Sequence, residues 1–270
     1  MSSRAERRRK DRQDKKVIKQ EGDTQSFQME MELMQPWSNF VMKTKLPPLI
    51  FDAMIKITDE ILDDQNRKNW GDNLAGQIAD EPLIPHSILQ REGIYSFFLE
   101  TVGEYVRSAI KQQATSLDYY KVEKVEWMTK MMSMWIISQK DNEYNPAHIH
   151  TDCAISTVMY LKVPDFLPST KPQRDDDGCI VFIGSAAPEN RFTRQQLKVK
   201  PVPGDFFMFP AHQIHAVYPF RTKDGKGERR SVSFNADFMS KQAYEDENHP
   251  ENRMADAHAK GMKQSNDPAI

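Results

Sequence analysis

The chain has few cysteines and no long apolar run. Only two of its 270 residues are cysteine, Cys153 and Cys179, which excludes a disulfide-rich scaffold and favours a reducing compartment. A single bridge between the two thiols stays open. No stretch approaches the roughly 18 consecutive apolar residues of a membrane span, and no apolar segment typical of a secretory signal follows the N-terminus. We therefore expect a cytoplasmic protein with no membrane partner.

The chain also has no large excess of positive or negative charge. The formal net charge is -2, which argues against a general polyanion binder. Basic residues do cluster in residues 1–24, which predicts a polar, disordered tail. A basic arm for nucleic acid is the weaker alternative, because Glu6, Asp11, Asp14 and Glu21 dilute the positive charge.

The apolar pattern divides the remaining chain into an α-helical part and a β part. Helical spacing predicts helices over 49–62 and 95–111, each with one apolar stripe that would support a sheet. From about residue 125, short β-like runs alternate with Gly, Pro and Asp turns, which indicates a sandwich or barrel. We predict an α+β chain with a tail at 1–24, a strand and supporting helices at 25–124, a β core at 125–238 and a polar tail at 239–270.

A possible metal site lies in the β part. His148, His150 and Asp152 are two residues apart, so they share one face if the strand is regular. His215 lies 65 residues after His150 and must come from another strand. Two imidazoles and a carboxylate with open positions suit Fe(II) in non-haem oxygenases, and zinc would also accept them. The alternative is that these residues are polar groups at strand ends.

An arginine follows this cluster on a strand-like run. Arg229, Ser231 and Ser233 share one face of the run by alternation. An arginine there could hold an acidic co-substrate through bidentate hydrogen bonds, with the Ser231 hydroxyl adding one more. The alternative for Arg229 is a surface charge beside the polar loop 222–228.

Five segments in order resemble the Fe(II)- and 2-oxoglutarate-dependent oxygenases, over residues from about 127 to 238. The similarity is greatest to a small oxygenase family common in phages and marine bacteria and distantly similar to prolyl hydroxylases. The matching segments are Tyr144-Asn145-Pro146-Ala147-His148-Ile149-His150, Ser156-Thr157-Val158-Met159-Tyr160-Leu161, Gly178-Cys179-Ile180-Val181-Phe182, Pro203-Gly204-Asp205 through His215-Ala216-Val217, and Arg229-Arg230-Ser231-Val232-Ser233-Phe234-Asn235. Each is weak alone, and their order makes them specific together. Thr157 and Met159 depart from the family pattern, which has glycine and tyrosine there.

The resemblance implies a double-stranded β-helix, a jelly-roll or cupin-like core, with buttressing N-terminal helices. It implies a dioxygenase that uses Fe(II), 2-oxoglutarate and O2, is stimulated by ascorbate, and releases succinate and CO2 as it hydroxylates a substrate. A peptidyl, prolyl-like residue is the first candidate substrate, and a small molecule or nucleobase is the second. The family also suggests a bacterium or a phage-infected host cell. The motifs carry no signal for the oligomeric state.

The resemblance also assigns roles to residues. Its register places the metal ligands on His148, His150 and His215, whereas the wider superfamily's His-x-Asp pattern fits His150 and Asp152. A carboxylate would offset the metal charge, while the register makes Asp152 a hydrogen-bond acceptor for an imidazole. Arg229, Ser231 and Tyr160 would bind 2-oxoglutarate, although Tyr160 could equally be core packing.

Two further interpretations come from the same comparison with the family. His212 does not occupy a ligand position, so we expect it on the substrate side or at the surface. A β-helix can also serve a binding or structural protein without enzymatic activity, because fold does not determine function.

Overall fold

The computed structural model describes residues 17–18, 27–28, 39–117, 125–171, 173, 175–184 and 195–248. Its helices are α1 (Pro48–Asp63), α2 (His86–Arg91), α3 (Tyr95–Leu117) and α4 (Lys241–Asn248). Its strands are β1 (Val17–Ile18), β2 (Phe27–Gln28), β3 (Met42–Lys45), β4 (Trp127–Gln139), β5 (Asn145–His148), β6 (Ile155–Lys162), β7 (Ile180–Ile183), β8 (Gln196–Val199), β9 (Asp205–Pro210), β10 (His215–Val217) and β11 (Arg229–Ser240). Most of the predicted tail 1–24 lies outside the described residues.

Two antiparallel sheets form the core. The larger has the order β3-β9-β6-β11-β4, and the smaller has the order β5-β10-β7-β8. From β4 to β11 the chain passes repeatedly between the two sheets, so that strands distant in sequence become neighbours. This winding is a double-stranded β-helix, and it confirms the predicted α+β fold class. The predicted end of the core at residue 238 falls inside β11, and α4 follows that strand directly.

The larger sheet is covered on both faces. In β6 every residue except the last is buried, as expected for a strand with packing partners on each side. Ile155 and Met159 pack into the cluster that includes the helices. Val158 and Tyr160, which alternate with them, pack toward the smaller sheet instead.

The two long helices supply the outer cover, as predicted. Apolar side chains of α1 at Ile50, Met54 and Ile57 share a buried stripe. Phe98 and Val102 of α3 join the same core cluster. Pro48 begins α1, where its missing N–H costs nothing because the first-turn amides have no partner inside the helix. The helices thus cover one face of the larger sheet, and the opposite face of the sheet lines the cavity.

A short extended segment, residues 80–84, lengthens the larger sheet beyond β4. Backbone bonds run from Ser138 N to Asp80 O (3.0 Å), from Ile136 N to Pro82 O (2.8 Å) and from Ile84 N to Met134 O (2.8 Å). The edge of β4 is therefore paired. The sequence pattern did not predict this segment as a strand.

The structure also bears on the two cysteines and on membrane-spanning helices. Cys153 and Cys179 are both free thiols, so no disulfide joins them. Among the described residues, no helix has the length and apolar character needed to cross a membrane.

Candidate active site

The two predicted parts of the metal cluster meet where β5 pairs with β10. His148 is the last residue of β5 and His215 is the first of β10, and the two are direct antiparallel partners. His150 follows β5 by two residues, and its backbone N–H is held by Ala211 O at 2.9 Å. Strand pairing thus brings together histidines that are far apart in the sequence.

The three imidazoles converge on one point. One nitrogen from each of His148, His150 and His215 lies within 4.8 Å of the others. The ring centroids of His148 and His215 are 4.2 Å apart, and His150 is 5.3 Å from each. In the part of the chain that the structure describes, this is the group of side chains with metal-ligand spacing.

Asp152 is not a member of this cluster. The regular strand ends at His148, and the backbone of Asp152 has φ 56°, which breaks the alternation that would place it beside the two histidines. The Asp152 side chain is exposed at the mouth of the cavity. It also accepts no hydrogen bond from His148 or His150, whose ring partners lie elsewhere.

Each histidine is oriented through its Nδ1. His148 donates to Pro146 O (2.7 Å), His215 donates to Gln213 O (2.9 Å), and His150 donates to Asn235 Oδ1 (2.9 Å). An acceptor on Nδ1 sets the tautomer, which leaves Nε2 of each ring unprotonated and able to bind a metal. In His150 this nitrogen accepts a hydrogen bond from Ser156 Oγ at 3.2 Å.

Burial keeps the three rings in their metal-binding form. Desolvation lowers the pKa of His150 to about 4 and that of His215 to about 3, and in both cases proximity to His148 lowers it further. Burial also lowers the pKa of His148. All three are therefore neutral near pH 7, and neutral imidazole is the form that coordinates a metal.

Asn235 offers a test of this support. Replacing Asn235 with alanine removes the acceptor from His150, and we expect the affinity for Fe(II) to fall about 10–100-fold. Calorimetric titration with Fe(II) under nitrogen would measure the loss. Asn66 is exposed and lies three residues after the end of α1. The variant Asn66→Ala is the control and should bind Fe(II) as tightly as the wild type. Equal affinities for the two variants would contradict the role of Asn235.

A polar socket lies in the same cavity, which has a volume of about 290 Å³ and is lined by the three histidines, Tyr160, Arg229 and Ser231. Arg229 is only 1% exposed, so it is not the surface charge considered as the alternative. Its Nη1 donates to Gly178 O at 2.8 Å, and its guanidinium lies 5.7 Å from the centre of the Tyr160 ring.

Three other polar atoms of this socket lack partners. Tyr160 Oη, Arg229 Nε and Ser231 Oγ are buried with no hydrogen bond among the described residues. Burial lowers the pKa of Arg229, because a buried cation without a counterion is unfavourable. The two hydroxyls and the guanidinium, which forms no ion pair among the described residues, fit a carboxylate, such as the distal carboxylate of 2-oxoglutarate.

A scan against protein families matches this part of the chain. Residues 133–235, which include all three histidines and Arg229, match the family described as "Putative 2OG-Fe(II) oxygenase". This segment belongs to the 2OG-Fe(II) oxygenases. The predicted family is thereby confirmed, and the oxygenase domain is that of an oxidoreductase with iron and 2-oxoglutarate as metal and co-substrate. No curated protein matches the chain in a search by sequence.

Solved structures with similarity to the oxygenase include two prolyl hydroxylases. A prolyl-4-hydroxylase from Pseudomonas putida is 15% identical, with 74% of this chain and 93% of that chain covered and a TM-score of 0.41. A prolyl hydroxylase from Trichoplax adhaerens, in complex with a fragment of hypoxia inducible factor, is 10% identical, with 73% and 82% covered and a TM-score of 0.43.

One remaining residue, His212, lies at the surface as expected, and two residues of the site were missed. His212 is exposed, and its ring nitrogen lies 3.1 Å from Asn39 Oδ1, outside the metal cluster. Asn235 was missed as a partner of His150, although the alternation of Arg229, Ser231 and Ser233 along β11 extends to it. Glu81 also lines the cavity, and no motif marks it.

Glu81 leads to a prediction about stability. Burial and the charge of Glu143 raise its pKa from 4.5 to about 8. In the unfolded chain Glu81 releases its proton near pH 4.5, whereas the folded chain retains it. This tighter proton binding stabilises the folded state fully below pH 4.5, and the stabilisation is lost as the pH rises through about 8. Glu81→Gln carries no titrating group and should melt about 4 °C or more above the wild type at pH above 8.

Below pH 4.5 the two proteins should melt together, because both then carry a neutral side chain at this position. Thermal melts followed by circular dichroism across this range test the prediction. The exposed Glu60 of α1 gives the control variant Glu60→Gln. A difference in melting temperature between Glu81→Gln and the wild type that does not change with pH would contradict this prediction.

Proposed function

We propose that this chain is an Fe(II)- and 2-oxoglutarate-dependent dioxygenase in which His148, His150 and His215 hold the iron. The observation that carries the proposal is the unpaired, buried Arg229 with Tyr160 and Ser231, in the same cavity as the three histidines. A metal site alone would suit many proteins. A metal site with a cationic carboxylate socket suits a metal-chelating keto diacid.

The chain's own residues would bind the metal, orient the co-substrate and exclude water. The histidines supply three neutral nitrogen ligands and leave coordination positions open for other groups. Arg229, Tyr160 and Ser231 bind the distal carboxylate, which directs the keto acid end toward the histidines. Phe209 and Phe182 pack against His215 at ring distances of 4.8 and 6.3 Å and help to keep water from that side.

When bound, Fe(II) supplies the oxidative chemistry in which 2-oxoglutarate and O2 yield succinate and CO2, and one oxygen atom enters the substrate as a hydroxyl group. For the substrate we propose a peptidyl residue, with a prolyl-like residue as first candidate, because the motifs resemble those of prolyl hydroxylases.

Formation of succinate tests this function directly. The purified chain with Fe(II), ascorbate and 2-oxoglutarate should release succinate slowly in air without an added substrate. Omitting iron or adding a chelator should abolish the product. No succinate, either alone or with any candidate substrate, would contradict the proposal and favour a binding protein on the same fold.

A further inference from the structure

Glu81 occupies an unusual place for a carboxylate. It belongs to the extended segment 80–84 beside β4, and its residue exposure is only 1%. Its side chain lines the cavity that contains the three histidines. Acidic side chains are rarely buried without a partner, so this position needs an explanation.

No group in the described part of the chain neutralises Glu81. Its Oε2 is buried and has no hydrogen bond, and Glu81 forms no ion pair with any described residue. Gly71 and Gly76 lie beside it, and a methyl group at either would come within 3.5 Å of Oε2. The backbone thus approaches the carboxylate closely without supplying a donor to that oxygen.

Arg229 does not serve as the missing partner. In the larger sheet the order runs from β11 to β4 and then to the segment 80–84, so Glu81 is two strands away from Arg229. The direct partner of Arg229 in β4 is Gln139, whereas Glu81 lies beside Ile137, the partner of Ser231. The proposed carboxylate socket and Glu81 are therefore separate positions within one cavity.

The charge of the lining favours a cation near Glu81. Apart from the neutral histidines, the acidic and basic residues that line the cavity are Glu81, Asp152 and Arg229, and Arg229 is assigned to 2-oxoglutarate. Trp70 and Trp135 also line the cavity, and aromatic rings attract cations. The Lys68 ammonium lies 5.9 Å from the centre of the Trp70 ring and forms no ion pair with Glu81.

We propose that Glu81 recognises the prime substrate, and that it binds an alkylammonium or guanidinium group. This inference rests on the proposed function, because it assigns the substrate of the same cavity. A cationic nitrogen would take the place of the proton that the folded chain retains on Glu81, and it would give the resulting carboxylate both a donor and a counter-charge. For a peptide substrate, this places a lysyl or arginyl side chain at or next to the residue that is hydroxylated.

Matched peptides test the charge without any change to the protein. The chain loaded with Fe(II) and 2-oxoglutarate is titrated under nitrogen with Ac-Gly-Lys-Gly-NH2 and with its norleucine counterpart, and with Ac-Pro-Lys-NH2 and Ac-Pro-norleucine-NH2. We expect the lysyl member of at least one pair to bind about tenfold or more tightly than its neutral counterpart. The n-butylammonium ion shows whether the cation alone suffices.

Variants of the protein then show which residue recognises the cation. Glu81→Gln should abolish the preference for lysine over norleucine, while Glu60→Gln on the exposed surface of α1 should retain it. Equal binding of both peptides by the wild type, no binding of any lysyl peptide, or a preference that survives in Glu81→Gln would each overturn the inference. Equal weakening of both peptides in Glu81→Gln would do so too, since it would indicate a neutral donor to a carbonyl.

The same samples separate this inference from the proposed function. Binding is measured under nitrogen and does not depend on turnover, whereas succinate is measured after air is admitted. Succinate without a preference for the cation overturns the role of Glu81 alone. A preference for the cation without succinate under any condition overturns the proposed oxygenase reaction instead.

Discussion

Replacing Arg229 with glutamine should raise the KM for 2-oxoglutarate by roughly 30-fold or more, because truncation of one member of a buried charge pair costs about 2–5 kcal/mol. The guanidinium is buried in the cavity, and among the residues that the structure describes its one acceptor is Gly178 O, which accepts from Nη1. Glutamine retains a polar end but loses the charge and the planar fork that bind a carboxylate. Succinate formation at increasing 2-oxoglutarate concentrations measures the change.

The neighbouring residue provides a matched control. Arg230 lies on the opposite face of β11, where it pairs with Glu228 and Asp59. Arg230→Gln loses those partners and should lower thermal stability, but it should leave the KM for 2-oxoglutarate unchanged. Similar KM values for the two variants would show that Arg229 does not bind the co-substrate.

Alternation along single strands made much of this fold predictable. In β11 the period of two assigned Arg229, Ser231 and Ser233 to one face, and the structure places all three at the cavity. In α1 the apolar spacing predicted the buried stripe that includes Met54 and Ile57. Both patterns are local, so one segment of sequence is enough to reveal them.

The contacts between distant segments could not be predicted in this way. The pairing of His148 with His215 depends on how β5 and β10 align, and no single segment contains that register. The left-handed backbone at Asp152 is likewise set by the turn after β5. A regular strand there would place His150 and Asp152 on one face, which is why Asp152 is the alternative ligand in the sequence.

Glu81 shows a further reason why sequence was insufficient. Its segment pairs with the edge of β4 only after the chain has folded across about 50 residues, as the bridge from Leu83 to Trp135 shows. An acidic residue between Asp80 and Pro82 is expected to be exposed, because aspartate and glutamate are rarely buried. Its burial becomes visible only when the larger sheet is complete.

Loss of a metal ligand should also have a large effect on Fe(II) affinity, and it distinguishes the two candidate ligand sets. His148→Ala and His215→Ala should each reduce Fe(II) affinity by more than the about 100-fold that marks the loss of a supporting group, because each removes one of three converging nitrogens. Asp152→Ala should bind Fe(II) nearly as well as the wild type, since its carboxylate lies outside the cluster. Calorimetry under nitrogen compares the three variants.

Cobalt(II) gives an independent measurement, because its visible absorption reports the ligands that surround it. The spectrum should change in His148→Ala and stay the same in Asp152→Ala. The opposite result, with iron retained by His148→Ala and lost by Asp152→Ala, would mean that the turn after β5 rearranges when metal binds. The site would then have two histidines and a carboxylate, and the neutral three-histidine cluster would describe only the metal-free protein.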